Sequence, residues 1–173
     1  MELTAGRKAL CATGIAFAAL AAGGVAYGVS AAPTATATDS VAHSSAGSVL
    51  PAAGGSTVTV LSLHLPAGKY VLSGAGDLVN WGPSDYSRCK ILVGSAQIAS
   101  VSTIVGSPAG AGNFGAAAFV SPFALTGGVS VGSAGADASL QCWHDSTNGS
   151  QPFVDPNASL YAHRTSSLQL NTE

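Results

Sequence analysis

From Thr57 onward the chain is a succession of short runs rich in Val, Leu, Ile and Phe, each closed off by Gly, Pro, Asn or Asp. This punctuation constrains the fold more than any other feature. No stretch keeps a helical period for the length a helix needs, so the apolar side chains can share a buried face only on strands. The runs fall at 57–65, 69–80, 88–93, 97–105, 116–125, 129–132, 138–144 and 159–168. About eight short strands with turns between them, and no crossover helices, predict an all-β chain: an antiparallel two-sheet sandwich of the jelly-roll kind. In the first run Val58 and Val60 face one way, while Leu61, Leu63 and Leu65 continue the alternation one residue out of phase. Such a slip predicts a β-bulge. Pro66-Ala67-Gly68 then turns the chain, which predicts a hairpin between the first two runs.

The N-terminus has a different character. Arg7 and Lys8 precede an uncharged, Ala-rich stretch over 9–27, and Val29-Ser30-Ala31 follows. A basic region, an apolar region and small residues, in that order, form an export signal, so residues 1–31 read as a signal helix cleaved after Ala31 or Ala32. The alternative is an uncleaved anchor, because the run approaches the roughly 20 residues that span a bilayer. Against it, the Ala and Gly of the run are only weakly apolar. Cys11 lies inside this stretch and is lost with it. That leaves Cys89 and Cys142, both in strand-like runs and both in an oxidising compartment, and we expect a disulfide between them. Constraining the long loop between them should stabilise the fold by on the order of 4 kcal/mol. Free or metal-binding thiols are the competing assignment, but no C-x-x-C is present. Residues 32–56, rich in Thr, Ala, Ser and Gly, read as a flexible leader, with 57–173 as the folded domain.

Charge narrows the class of partner. Only 8% of residues are charged, the formal net charge is -2, and the six basic residues are scattered. The chain therefore lacks the electrostatic footprint of a protein that binds nucleic acid or an anionic membrane. A surface of hydroxyls, small side chains and backbone suits a secreted or cell-surface location. Gly128-Val129-Ser130-Val131-Gly132 matches G-x-S-x-G, but a nucleophile elbow needs strand, turn and helix, and Ser130 stands between valines in a strand. No catalytic residue is assigned. His43, His64, His144 and His163 lack metal-ligand spacing, and no metal or cofactor is expected. His64, His144 and His163 would meet only if three strands brought them to one face. Oxygen ligands between Asp145 and Asp155 could hold calcium, though without EF-hand spacing.

Two segments point to recognition. Trp81, Asp85 and Tyr86 lie in one, and Trp143, His144 and Asp145 in the other. Rings stack against a sugar while carboxylates and amides fix its orientation, so these six are candidate ligand-binding residues, with a glycan or cell-envelope component as the candidate partner. The plainer assignment is that Trp81 and Trp143 plug the ends of the sandwich. Asn148 and Asn157 each open an Asn-x-Ser triplet of the glycosylation type.

Leu65-Pro66-Ala67-Gly68-Lys69-Tyr70, then Cys89 and the later Leu140-x-Cys142, resemble the pattern of small secreted bacterial proteins that carry an L-P-A-G-x-Y hairpin and two cysteines in strands. The resemblance covers 58–168 and implies a jelly-roll-like sandwich, similar in general shape to the globular heads of C1q and tumour necrosis factor. It implies no reaction and no catalytic residues. The expected function is therefore a secreted or cell-surface, non-enzymatic β-sandwich with a binding or structural role. Two alternatives stand beside it. One is a small secreted hydrolase using Ser130 or a histidine–carboxylate pair. The other is a trimeric, C1q-like recognition head and hence a homo-oligomer, which needs an apolar edge such as Ala116-Ala117-Ala118-Phe119-Val120.

Overall fold

The computed structural model describes residues 38–52, 56–107, 119–145 and 151–171. The signal segment 1–31 lies outside them. The described residues contain ten strands: β1 (Ser40–His43), β2 (Ser48–Val49), β3 (Val58–Leu65), β4 (Gly68–Val79), β5 (Asp85–Val93), β6 (Ala96–Val105), β7 (Val120–Val131), β8 (Ala136–His144), β9 (Phe153–Val154) and β10 (Ser159–Thr165). No helix among them is long and apolar enough to cross a membrane.

Two antiparallel sheets form. In one, β4 pairs with β7 on one side and with β10 on the other, β1 pairs with β10, and β9 extends the β10 side of β4 and carries β2. The other has the order β3-β8-β5-β6. The longer strands thus make two four-stranded layers, β1-β10-β4-β7 over β3-β8-β5-β6. With the exception of the β5–β6 hairpin, the chain changes layer between successive long strands from β3 onward, which is the path of a jelly roll.

Strict alternation explains why these layers stack. Along β5, Asp85, Ser87, Cys89, Ile91 and Val93 are buried, while Tyr86 is exposed and Arg88, Lys90 and Leu92 are partly so. Along β8, Ala138, Leu140, Cys142 and His144 are buried, and Ser139, Gln141 and Trp143 face outward. Leu72, Leu78 and Leu160 meet them from the opposite layer and are fully buried. Each such leucine contributes roughly 1.5–3 kcal/mol of transfer free energy.

The phase slip in β3 appears as a register shift between Thr59 and Leu61 against β8. It lets Val58 and Val60 pack on the same core as Leu61 and Leu65. The expected hairpin between β3 and β4 does not form. β3 pairs with β8 and β4 with β7 and β10, so Pro66-Ala67-Gly68 carries the chain from one layer to the other. The Tyr70 hydroxyl donates to the Pro66 carbonyl at 3.0 Å and Arg164 Nη2 to the Ala67 carbonyl at 2.8 Å, fixing that crossing. A turn signal specifies a change of direction, and the partner strand is chosen by long-range packing.

Two further expectations change. The runs at 116–125 and 129–132 belong in part to one strand, β7, because Gly127-Gly128 sits inside it. At Gly127 a Cβ would stand 2.5 Å from Ile98 Cγ2 and 2.8 Å from the Ile98 carbonyl oxygen. Glycine is required there because β7 and β6 approach closely across the open edge of the sandwich, where Thr103 and Ser121 hydroxyls also meet at 3.2 Å. The segment read as a leader also contributes structure: β1 and β2 lie within it, and Leu50 is buried in the core. Short strands of Ser, Ala and Val carry too little apolar pattern to be read locally, and their pairing partners lie more than a hundred residues along the chain.

Candidate functional site

Cys89 and Cys142 are bonded and stand directly opposite each other in neighbouring strands, with a Cα–Cα distance of 4.1 Å. Both are fully buried. Their neighbours in sequence therefore project outward: Arg88 opposite Trp143, and Lys90 opposite Gln141. Those four side chains form an outward face with the disulfide directly beneath it. A one-residue slip of β5 against β8 would turn the whole set inward, and the bridge forbids that slip.

The polar groups of this face are organised. Arg88 Nε donates to both carboxylate oxygens of Asp145, at 2.7 and 2.9 Å, and Nη2 adds a third bond. That fork holds the Asp145 carboxyl below the usual carboxylate range and raises the Arg88 guanidinium further. Arg88 Cζ also lies 5.6 Å from the centre of the Tyr86 ring, and Lys90 Nζ lies 5.3 Å from the centre of the Trp143 ring. Both distances are within the range of a cation–π contact. Gln141 accepts from Thr57 Oγ1 at 3.0 Å and donates to Ser139 Oγ at 3.3 Å, so its amide has a fixed direction.

The six candidate residues divide into three groups. Tyr86, Trp143 and Asp145 lie on this outward face. Asp85 and His144 point the other way, into the core, where His144 Nδ1 and Asp85 Oδ2 are 2.6 Å apart. Trp81 stands at the end of β4 and is 68% exposed, which excludes a role as a plug. Its ring leans on Phe119 with centroids 5.5 Å apart. The loop that presents it is rigid: Asn80 is fully buried, its Nδ2 donates to the carbonyls of Pro83 at 2.8 Å and Val105 at 2.9 Å, and its Oδ1 accepts from the Gly82 amide at 2.9 Å.

Arg88, Lys90 and Gln141 were not singled out from the sequence, although the signal was present. Each flanks a cysteine, and the neighbours of a buried strand residue must face outward.

Serine, histidine and carboxylate chemistry meets a different environment. Ser87 is directly opposite His144, with Asp85 two positions along the same face, so a nucleophile, base and orienting carboxylate are juxtaposed in kind. Ser87, His144 and Asp85 are only 0%, 4% and 5% exposed, and Ser87 Oγ has no hydrogen-bond partner. A substrate cannot reach them, and no bond links nucleophile to base. Ser130 lies on the exposed outer side of β7, within the strand.

The histidines do not converge. His64 pairs with Asp137 at 2.8 Å and His163 with Asp39 at 2.7 Å, each on its own strand, and no group of three His, Cys, Asp or Glu among the described residues could hold a metal ion. Residues 146–150, which include Asn148 and part of the candidate calcium loop, and residues 116–118 of the apolar edge lie outside the described residues.

No protein-family model matches the sequence, and no curated protein matches it. Among solved structures, the fold is similar to part of the infectious bursal disease virus Gx strain structure, at 12% identity and a TM-score of 0.45, covering 76% of this chain and 32% of that one. It is also similar to the infectious bursal disease virus VP2 subviral particle, at 14% identity and a TM-score of 0.43, covering 75% of this chain and 33% of that one. The chain spans about a third of the length of those viral chains. Similarity at this level transfers no activity or partner.

Proposed function

We propose that this chain is an exported, non-enzymatic β-sandwich that works by binding, and that its working surface is the outward face of β5 and β8 around Trp143. The observation that carries the reading is the covalent staple at Cys89 and Cys142 beneath Arg88, Lys90, Gln141 and Trp143. A surface whose register is locked loses little conformational freedom on binding, and it combines ring faces with oriented polar groups. The acid, base and nucleophile types present in the core are sealed from substrate, which supports binding over hydrolysis.

Two measurements test the two halves of the proposal. Intact mass of protein recovered from the culture medium should show a chain beginning at Ala32 or Pro33, with two thiols alkylated only after reduction. Full-length protein retained in the membrane fraction would overturn export. Cosedimentation with insoluble cell-wall polysaccharides should be lost in a Tyr86→Ala/Trp143→Ala variant of unchanged melting temperature. Equal cosedimentation of variant and parent would overturn the assignment of the face.

A further inference from the structure

We infer that the face above the disulfide takes an acidic polysaccharide, with Trp143 as the stacking platform and Lys90 as the contact for a sugar carboxylate; this rests on the reading of that face as the binding surface. The argument starts from how its charges are used. The Arg88 guanidinium is already matched by Asp145 through a forked set of hydrogen bonds. Lys90 is not matched: among the described residues no carboxylate forms an ion pair with it, and its ammonium is held near the Trp143 ring. The face therefore carries one unanswered positive charge in a chain of net charge -2.

The position of that charge selects the ligand. The ammonium lies over the half-buried Trp143 ring, 5.3 Å from its centre, so a pyranose that packs its C–H face on the part of the indole left uncovered brings a carboxylate on its rim to that ammonium. Gln141, oriented by Thr57 and Ser139, and the exposed Ser100 and Ser102 of β6, which stand opposite Lys90 and Arg88 of β5, can bond the hydroxyls of the same or adjoining sugars. From β6 to β3 this strip crosses three inter-strand spacings, roughly 14 Å. It lies on the outside of a sheet and has open ends, which suits a polymer passing over it rather than a small molecule enclosed in a cavity.

Affinity electrophoresis of the full chain in gels containing polygalacturonate, or a neutral glucan, tests this. Polygalacturonate should retard the protein, and Lys90→Gln should weaken that binding at least about tenfold, as expected for one charge-assisted contact. Lys90→Arg should retain most of it. Lys69→Gln, which removes an exposed charge from the other sheet, should leave binding unchanged. Equal loss in Lys69→Gln and Lys90→Gln would show unspecific charge attraction and overturn the inference. Equal retardation by the neutral glucan, abolished by Trp143→Ala but untouched by Lys90→Gln, would overturn the acidic ligand while leaving the face intact as a binding surface. Absence of retardation in the polygalacturonate gel would also overturn it, and the cosedimentation comparison would then decide the face by itself.

Discussion

Replacing both cysteines, as Cys89→Ala/Cys142→Ala, removes a constraint on a loop of 53 residues. In the chain-entropy treatment that loop lowers the entropy of the unfolded state by about 14 cal/mol/K, or about 4 kcal/mol at 25 °C. Typical single domains are stable by only about 5–15 kcal/mol, so the loss is a large part of the total. Both sulfurs are fully buried at the centre of the β3-β8-β5-β6 sheet, and truncation adds a small packing defect on top of the entropic effect. Urea unfolding of the oxidised parent and the double variant, followed by tryptophan fluorescence, should show a lower midpoint and a loss of about 4 kcal/mol in the variant. A loss below about 1 kcal/mol with an unchanged slope would refute the idea that the bridge carries much of the stability. The same variant should bind polysaccharide more weakly, because the register of the outward face is no longer covalently fixed.

Other parts of the structure make their own predictions. Asn80→Ala removes the three side-chain bonds to the Val105 and Pro83 carbonyls and the Gly82 amide, and should cost about 1–3 kcal/mol by urea unfolding while loosening Trp81, read as a fall in its fluorescence anisotropy. Ser87→Ala removes a buried hydroxyl that has no partner and should be neutral or stabilise by up to about 1 kcal/mol in thermal unfolding; a clear destabilisation would show that the hydroxyl is bonded. The Asp39 carboxyl, bonded first by the Tyr161 hydroxyl and then by His163, lies below the usual range, as does Asp145 beside Arg88. A carboxyl lowered in the folded state stabilises above its unfolded value of about 4 and loses that contribution as the pH falls through the folded value. Melting temperature should therefore fall mainly below pH about 4, and less steeply in Asp39→Asn and Asp145→Asn; unchanged acid profiles would contradict this.

The sandwich was legible because one half of each long strand had to be apolar. Leu61, Leu63 and Leu65 even revealed the bulge, through a phase error that only a strand would show. What the sequence concealed was pairing. Pro66-Ala67-Gly68 reads the same whether it joins neighbours or layers, and Gly127-Gly128 reads as a turn although close approach to Ile98 is the reason for the first glycine. β1 and β2 were invisible because their stabilising partners, β10 and β9, are distant in sequence. The candidate site was half legible. Aromatic and carboxylate residues were chosen by type, which grouped Asp85 and His144 with Tyr86 and Trp143, and the strand period then sent them to opposite faces. Applying that period outward from Cys89 and Cys142 separates the two sets, and it also brings in Arg88, Lys90 and Gln141.

The most direct measurement is residue-by-residue NMR mapping of the isotope-labelled chain during titration with whichever polysaccharide retains it. The account predicts shifts concentrated at residues 86–90, 100–102 and 141–145, including the side-chain signals of Trp143 and Gln141, with the outer face of β4 and β7 unmoved. Shifts centred on that opposite face, or on Ser130, would contradict it.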